Sequence, residues 1–203
     1  MIMKKIMFKD EFLLTKAVLE GRKTQTRRLA SSFLPDAVRI GYARFEIANG
    51  RELRCWTKGN SCIKFNLPYK VGEVVAVAQS YKTIYNEEGL ETMDMLIQGL
   101  KNSKGWNNKM FVRSSDMSHQ IRITDVRVER LQDISDEDCL KEGVRKVVNE
   151  NGIYIQYYVG QGNNACSFEN PREAFAHLIN KVSKKDVWKE NPYVFVYDFE
   201  LVK

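Results

Sequence analysis

The alternation of apolar and polar positions predicts that strands outnumber helices in this chain. Alternating or β-rich runs cover residues 44–53, 62–67, 71–85, 120–131, 152–159 and 193–202. Apolar positions at helical spacing cover residues 10–20, 135–142 and 171–182. A few helices scattered around many strands are typical of an α+β fold, and we expect a small β-barrel or a curled sheet with flanking helices.

Start and stop signals beside the helical segments support these predictions. Asp10 is the expected N-cap of the first helix, and Gly21 stands where that helix should end. In the second helix, Ser135 and Asp138 have the spacing of a capping box, and Gly143 supplies the stop. The sequence therefore predicts short helices whose ends are set by neighbouring residues.

The chain of 203 residues is expected to form a single domain. Its four prolines and twelve glycines are dispersed, so no segment has the composition of a linker, and no internal repeat is visible. A polar stretch at residues 86–109 has the composition of an insertion, with helical character near residues 93–100.

Charge and hydropathy restrict the partners and the location of the protein. The chain has 32 Lys and Arg against 26 Asp and Glu, a formal net charge of +6, which favours a polyanionic partner. No apolar run approaches the roughly 18 residues of a membrane-spanning helix, and the beginning of the sequence lacks a signal-peptide pattern. We therefore expect a cytoplasmic protein that does not bind membranes.

Signatures of metal and cofactor binding are weak or absent. The potential metal ligands lack the close spacing along the chain that is typical of a zinc site. They are Cys55, Cys62, His119, Cys139, Cys166 and His177. Residues 160–165 fit a dinucleotide fingerprint literally, but they lie too late in the chain for a doubly wound sheet to follow. We expect reduced thiols, no metal and no cofactor.

The segment with the most chemical content is residues 21–28, Gly-Arg-Lys-Thr-Gln-Thr-Arg-Arg. In a strand, Thr26 and Arg28 share one face and Arg27 takes the other, so Lys23 would have to reach Thr26 from the preceding turn. Burial beside the arginines would lower the pKa of Lys23 and make it a base or a nucleophile. The ordinary alternative is a solvated basic strand.

Glu142 closes the helix predicted at residues 135–142. A carboxylate at the negative end of a helix dipole is placed to exchange a proton with a neighbouring group. The ordinary alternative is an exposed helical glutamate.

A motif of the form Gly-x-Lys-x-x-Thr-x-Arg is present in full as Gly21, Lys23, Thr26 and Arg28. With this motif the chain resembles the ASCH domain family, whose β-barrel fold is related to the PUA domains of RNA-modifying proteins. Further matches keep the expected order and lie at residues 69–75, 123–138, 142–143 and 191–200. The combination is most similar to the longer, phage- and prophage-type members. Three stretches are unmatched and are expected to be insertions, at about residues 30–65, 84–112 and 145–168.

The resemblance implies a hydrolytic activity. Small bacterial members of the family include an amidohydrolase that removes the acetyl group from N4-acetylcytidine, and its three functional positions match Lys23, Thr26 and Glu142 here. Thr26 would then be the nucleophile, Lys23 its activating base, and Glu142 a proton shuttle or an orienter of Lys23. Arg28 would bind or order the site.

One position departs from the family pattern and concerns the pocket wall. Longer members usually read Val-Arg-Glu-x-Trp after a Gly-Asp turn, whereas this chain reads Val-Ala-Gln-Ser-Tyr, with Gln79 in place of the glutamate. A glutamine keeps hydrogen bonding but cannot take up a proton. Gln79 is therefore expected at the binding site without an acid–base role.

Two other functions remain open from the sequence. The chain could be a non-catalytic RNA-binding module in which cations of the basic segment, Arg22, Lys23, Arg27 and Arg28, hold phosphates. It could also be a phage accessory factor that binds another protein, although this leaves the motif unexplained. The expected partner is thus a nucleoside or RNA.

Overall fold

The computed structural model describes residues 3–30, 44–56, 60–88, 94–149, 151–152, 154–162 and 165–202, and it shows a mixed α+β fold. The strands are β1 (Lys5–Ile6), β2 (Gln25–Leu29), β3 (Arg44–Ala48), β4 (Glu52–Trp56), β5 (Cys62–Asn66), β6 (Val74–Val77), β7 (Gln120–Arg130), β8 (Arg145–Val148), β9 (Ile155–Val159), β10 (Cys166–Phe168) and β11 (Tyr193–Leu201). The helices are α1 (Leu14–Leu19), α2 (Tyr81–Glu88), α3 (Asp94–Lys101), α4 (Asp136–Lys141), α5 (Pro171–Ser183) and α6 (Val187–Glu190).

The core is built on a five-stranded sheet in the order β1-β6-β7-β11-β2. The two long strands β7 and β11 lie side by side and antiparallel, and β2 pairs antiparallel with the free edge of β11. Thr26 pairs with Tyr197 and Arg28 with Phe195, so these four side chains share one face of the sheet. The register therefore sets which residues of the basic segment stand next to aromatic side chains.

Two smaller antiparallel sheets lie in stretches that the family resemblance leaves unmatched. One has the order β3-β4-β5 and the other the order β10-β9-β8. Each consists of consecutive strands along the chain, as expected for meanders joined by short turns. The unmatched residues around 44–66 and 145–168 thus contribute their own sheets and do not extend the central one.

The central sheet is open, so the small β-barrel expected from the sequence is corrected, and the alternative expectation of a curled sheet is the one that the structure shows. Within the described residues the end strands, β1 and β2, do not pair with each other. β1 is only two residues long and offers little backbone for closure. A side chain connects β2 to the segment after β1 instead: Nη2 of Arg28 donates to the carbonyl oxygen of Met7 at 2.5 Å. The sheet is curled, with a seam between its two ends.

The capping prediction for the second helix is confirmed, and the helix expected at residues 171–182 is present as α5. The Ser135 hydroxyl accepts a hydrogen bond from the backbone N–H of Asp138 at 3.1 Å, at the start of α4. After α4, Gly143 has a φ of +105°, a conformation that side-chain-bearing residues rarely adopt. Asn170 caps α5 in the same way as Ser135 caps α4, with Pro171 in the first turn.

Two other predictions differ from the structure. The first helix is interrupted, because residues Asp10–Phe12 form a 3-10 turn and Leu13 adopts a left-handed conformation before α1 begins. Asp10 therefore does not act as an N-cap, and its carboxylate binds the Thr15 hydroxyl at 2.5 Å. The β-rich run at residues 71–85 forms only β6, because Ser80 accepts a hydrogen bond from the N–H of Thr83 and starts α2.

Helix α5 packs against α4, α6, β9 and β10, and its apolar side chains belong to the same core cluster as those of β11. Phe175 and Leu178 of α5 are buried, and so are Phe195 and Tyr197 of β11. Among the helices of the described residues, none has the length and apolar character needed to cross a membrane.

Candidate functional site

The beginning of β2 is held by the ends of two helices. The N–H groups of Arg22 and Lys23 both donate to the Ala17 carbonyl oxygen at 2.9 Å, through a turn in which Gly21 has a φ of +70°. The N–H of Thr24 donates to the carbonyl of Lys141 at 3.0 Å. These backbone contacts bring the basic segment next to the last turn of α4, where Glu142 follows.

Lys23 and Glu142 form a buried ion pair. Nζ of Lys23 lies 2.6 Å from Oε2 of Glu142, and the two side chains are 1% and 6% exposed. The same nitrogen donates to the carbonyl oxygens of Gln25 at 2.6 Å and of Glu142 at 2.8 Å. All three protons of the ammonium are thereby used, so the pair is a charged and fully hydrogen-bonded unit.

Arg27 lies on the other side of Glu142 and joins it to further carboxylates. Its Nη1 is 3.2 Å from Oε1 of Glu142, and its Nη2 is 2.6 Å from Glu129 and 3.1 Å from Asp138. Arg27 also donates to the side-chain oxygen of Gln25. The Glu142 carboxylate is thus held from both oxygens, which fixes its orientation toward Lys23.

The electrostatic consequences differ between the two cations. Burial lowers the pKa of Lys23 below its ordinary value, and the attraction of Glu142 offsets only part of this effect. For Arg27, burial acts in the same direction, but the carboxylates of Glu142 and Glu129 outweigh it and raise the pKa. Lys23 is therefore the cation of this cluster that is prepared to lose a proton.

A cavity of about 380 Å³ opens beside the cluster. It lies in the seam of the sheet, between the chain after β1 and strand β2, with α5 as the opposite wall. Its lining residues are Met7, Phe8, Lys9, Leu14, Lys23, Thr26, Arg27, Arg28, Lys109, Glu142, Phe175, Leu178, Ile179 and Val182. One side of the cavity is therefore charged and the side formed by α5 is apolar.

Thr26 is the hydroxyl-bearing residue of this cavity. It is 4% exposed, and its side chain makes no hydrogen bond within the described part of the chain. None of the three hydrogen bonds of Lys23 Nζ goes to Thr26. Lys23, Thr26 and Glu142 thus share one cavity, but Lys23 is bonded to Glu142 and not to the hydroxyl of Thr26.

The other residues proposed from the sequence are divided between the cavity and its surroundings. Arg27 and Arg28 line the cavity, whereas Arg22 and Gln79 do not. Arg22 is exposed and forms an ion pair with Glu20 at 2.6 Å. Gln79 is 1% exposed and follows β6. A binding role for these two residues stays a prediction.

Several contributors to the site were not found by sequence reasoning. Lys109 comes from the unmatched stretch at residues 84–112, and its Nζ binds the carboxylate of Asp10 at 2.8 Å and the carbonyl of Phe8 at 2.5 Å. No local signal marks Lys109, because its partners are about a hundred positions away in the chain. Asp138 was noticed only as part of a capping box, although its carboxylate also binds Arg27.

Two further features of the described residues concern metal binding and a second cleft. No group of three or more His, Cys, Asp or Glu side chains in this part of the chain could hold a metal ion. A larger and more open cleft of about 990 Å³ is lined by residues near β1 and by residues 112–115, and it contains none of the motif residues. The motif residues therefore direct attention to the smaller cavity.

Comparison with known proteins gives no relative for this chain. No family model, no curated protein and no solved structure matches it.

Proposed function

We propose that this protein is an ASCH-type amidohydrolase with a PUA-like fold, which acts on an acylated nucleoside or base such as N4-acetylcytidine. The observation that carries the proposal is the convergence of Lys23, Thr26 and Glu142 on one cavity. Lys23 and Glu142 are 119 positions apart in the chain, yet their charged atoms are in contact. A base, a hydroxyl and a carboxylate in one partly apolar cavity are the groups that acyl transfer to a threonine requires.

The proposed reaction begins with a proton transfer within the ion pair. Lys23 Nζ gives a proton to Oε2 of Glu142, at 2.6 Å, and the neutral amine takes the hydroxyl proton of Thr26 as its oxygen attacks the acyl carbon. Collapse of the tetrahedral intermediate breaks the C–N bond, and the leaving amine of cytidine receives a proton from Lys23. The Lys23 amine then takes a proton from water as its oxygen attacks the threonine ester, and gives that proton to the Thr26 oxygen as acetic acid is released. Return of the proton from Glu142 to Lys23 restores the ion pair.

The cavity wall formed by α5 supports a substrate with an apolar portion. Phe175 and Leu178 are buried in it, and Ile179 and Val182 complete the surface. An acyl group or the face of a base would remove this surface from water, which favours binding by roughly 25 cal/mol for each Å² of apolar area. The charged side of the cavity would face the amide.

RNA binding by the basic segment receives less support from the geometry. Lys23 and Arg27 are buried in ion pairs with carboxylates, and Arg22 is paired with Glu20. Phosphate binding in an RNA complex requires cations that are exposed and available. The basic segment therefore serves a cavity better than an extended surface.

The test is chromatographic detection of cytidine after incubation of the purified protein with N4-acetylcytidine. We expect turnover by the wild type, and a loss of about 100-fold or more for Thr26→Val and for Lys23→Met. Thr24→Val and Lys16→Met are matched controls, because neither residue lines the cavity, and both should keep the activity. No cytidine from the wild type, or equal turnover by Thr26→Val, would contradict the proposal.

A further inference from the structure

The cavity that contains Lys23 and Thr26 has an excess of positive charge. Its lining includes five cations and one carboxylate, Glu142, and the cations are Lys9, Lys23, Arg27, Arg28 and Lys109. Three of the cations are neutralised within the described residues: Lys23 by Glu142, Arg27 by Glu129 and Asp138, and Lys109 by Asp10. Lys9 and Arg28 have no carboxylate within ion-pair distance in that part of the chain.

Arg28 is the more informative of these two cations, because it is half-buried whereas Lys9 is exposed. Its Nη2 donates to the carbonyl of Met7 at 2.5 Å, and its guanidinium carbon lies 5.6 Å from the centre of the Phe8 ring. Its Nε is buried and has no hydrogen-bond partner among the described residues. Burial lowers the pKa of Arg28, and the more distant charge of Glu142 offsets only part of this effect.

A cation that is partly withdrawn from water without a counter-charge in contact is costly for the folded protein, and an anionic ligand bound there would remove that cost. The neighbouring Arg27 shows the contrast. It belongs to the same strand but faces the opposite side of the sheet, where Glu129 and Asp138 surround it. The fold thus neutralises one arginine of the pair and leaves the other, at the same cavity, without a carboxylate partner within ion-pair distance among the described residues.

We propose that Arg28 binds an anionic phosphate group of the ligand, so that this site prefers an acylated nucleoside monophosphate over the free nucleoside. This inference rests on the proposed function for the identity of the base and the acyl group. A guanidinium presents several N–H donors in a plane and matches two oxygens of a phosphate at once. Lys9 is exposed and supplies a second positive charge at the mouth of the same cavity.

The size and depth of the cavity fit a mononucleotide better than a polynucleotide. Its volume of about 380 Å³ lies within the range of small-molecule sites. Arg28 lines the cavity and is bonded to the Met7 carbonyl. A phosphate within a polynucleotide could reach Arg28 only if the nucleotides on both sides of it entered the cavity as well. A terminal phosphate can enter without this requirement.

The first experiment measures binding by calorimetry and does not depend on catalysis. Cytidine 5′-monophosphate and cytidine are titrated into the wild type, Arg28→Met and Arg122→Met. Arg122 is the control, because it is exposed and paired with Glu200 away from the cavity. We expect the monophosphate to bind about tenfold tighter than cytidine to the wild type and to Arg122→Met, and this ratio to fall toward one in Arg28→Met.

A second measurement separates failure of this inference from failure of the proposed function. Inorganic phosphate should raise the melting temperature of the wild type and of Arg122→Met, and should raise that of Arg28→Met by clearly less. Phosphate stabilisation that depends on Arg28 supports the anion site even if N4-acetylcytidine is not hydrolysed. Hydrolysis of N4-acetylcytidine without any phosphate effect would overturn the anion site and leave the proposed function standing.

Two further outcomes would overturn the inference. One is an equal preference for the monophosphate in Arg28→Met and in the wild type. The other is a short RNA without terminal phosphate that binds about tenfold tighter than cytidine 5′-monophosphate, which would identify a polynucleotide ligand. If Arg28→Met does not fold, Arg28→Lys takes its place, because it keeps the charge but loses the paired donors, and a reduced preference for the monophosphate is then expected.

Discussion

The ammonium nitrogen of Lys23 lies 2.6 Å from the carboxylate of Glu142, at a separation of 119 residues in the chain. Both side chains are almost completely withdrawn from water. Two charges in such a place lose their hydration, and this loss offsets much of their mutual attraction. A pair of apolar residues could fill the same space without that cost, so stability alone does not explain the ion pair, whereas the proposed role of Lys23 as a base requires it.

Removal of the negative charge of this pair should destabilise the fold strongly. Glu142→Gln leaves Lys23 and Arg27 as buried cations with fewer acceptors, and we expect a loss of about 3–5 kcal/mol in the free energy of unfolding. Glu137→Gln is the matched control on the same helix, since Glu137 is 79% exposed and pairs with Lys141. Its effect should stay within about 0.5 kcal/mol. Urea denaturation measures both, and equal losses would contradict the buried-pair account.

The titration of Lys23 should be visible in the pH dependence of stability. Burial holds the pKa of Lys23 below the 10.5 of an unfolded lysine, so between these two values the unfolded chain binds more protons than the folded one. The contribution of Lys23 to the free energy of unfolding should therefore rise with pH across this window. Burial also raises the pKa values of Tyr69 and Tyr197, which act in the opposite direction above pH 10.

A comparison with a variant isolates the contribution of Lys23. Urea unfolding is followed between about pH 8 and 10.5 for the wild type and for Lys23→Met, in which both tyrosines remain. The stability of the wild type relative to the variant should increase with pH. A relative stability that decreases across the window would show that the pKa of Lys23 is raised in the folded protein.

The glycine after Glu142 should tolerate no side chain. Gly143 has a φ of +105°, and a Cβ atom there would lie 3.1 Å from Cδ2 of Leu14 and 3.6 Å from Cδ of Lys23. We expect Gly143→Ala to lower the free energy of unfolding by about 1–3 kcal/mol. Gly99→Ala is the control with the opposite sign, because Gly99 lies in α3 with open space around it, and it should gain up to about 1 kcal/mol. Thermal and urea unfolding of both variants measure these changes, and a Gly143→Ala variant as stable as the wild type would contradict the prediction.

The cysteines should react in two classes. Burial raises the pKa of Cys55 to about 11 and that of Cys139 to about 12, whereas Cys62 and Cys166 are partly exposed. In a DTNB assay at neutral pH we expect two fast thiols in the folded protein and four after denaturation. A Cys62→Ser/Cys166→Ser variant should show no fast thiol. Rapid reaction of this variant would mean that the core around Cys55 or Cys139 opens readily.

Sequence reasoning succeeded where the determining contacts are short in range. The Ser135 cap, the stop at Gly143 and the start of α5 each depend on hydrogen bonds or backbone conformations within a few residues. The same applies to the prediction that Thr26 and Arg28 share a face, since the alternation of a strand is a property of its own backbone. Local patterns also established the α+β class.

Predictions failed for local reasons and for long-range reasons. One failure is local: the run at residues 71–85 is rich in β-formers, but Ser80 within it caps α2, and this signal was overlooked. Asp10 has the residue type of an N-cap, but its carboxylate is taken by Thr15 and by Lys109 from the insertion. The sheet stays open at β1, which is only two residues long and offers little backbone for pairing with β2. The sequence around β1 did not predict so short a strand.

The sequence by itself determined the ends of the helices, the faces of β2 and the spacing of the Lys, Thr and Arg side chains in the motif. Only the tertiary structure decided that Lys23 reaches Glu142, that Arg27 is neutralised while Arg28 is not, and that Lys109 closes the cavity wall. These contacts join segments far apart in the chain, and they arise when sheet register and helix packing bring the segments together. Short-range preferences do not contain that information, because the free energy of such contacts depends on burial that exists only after the whole fold has formed.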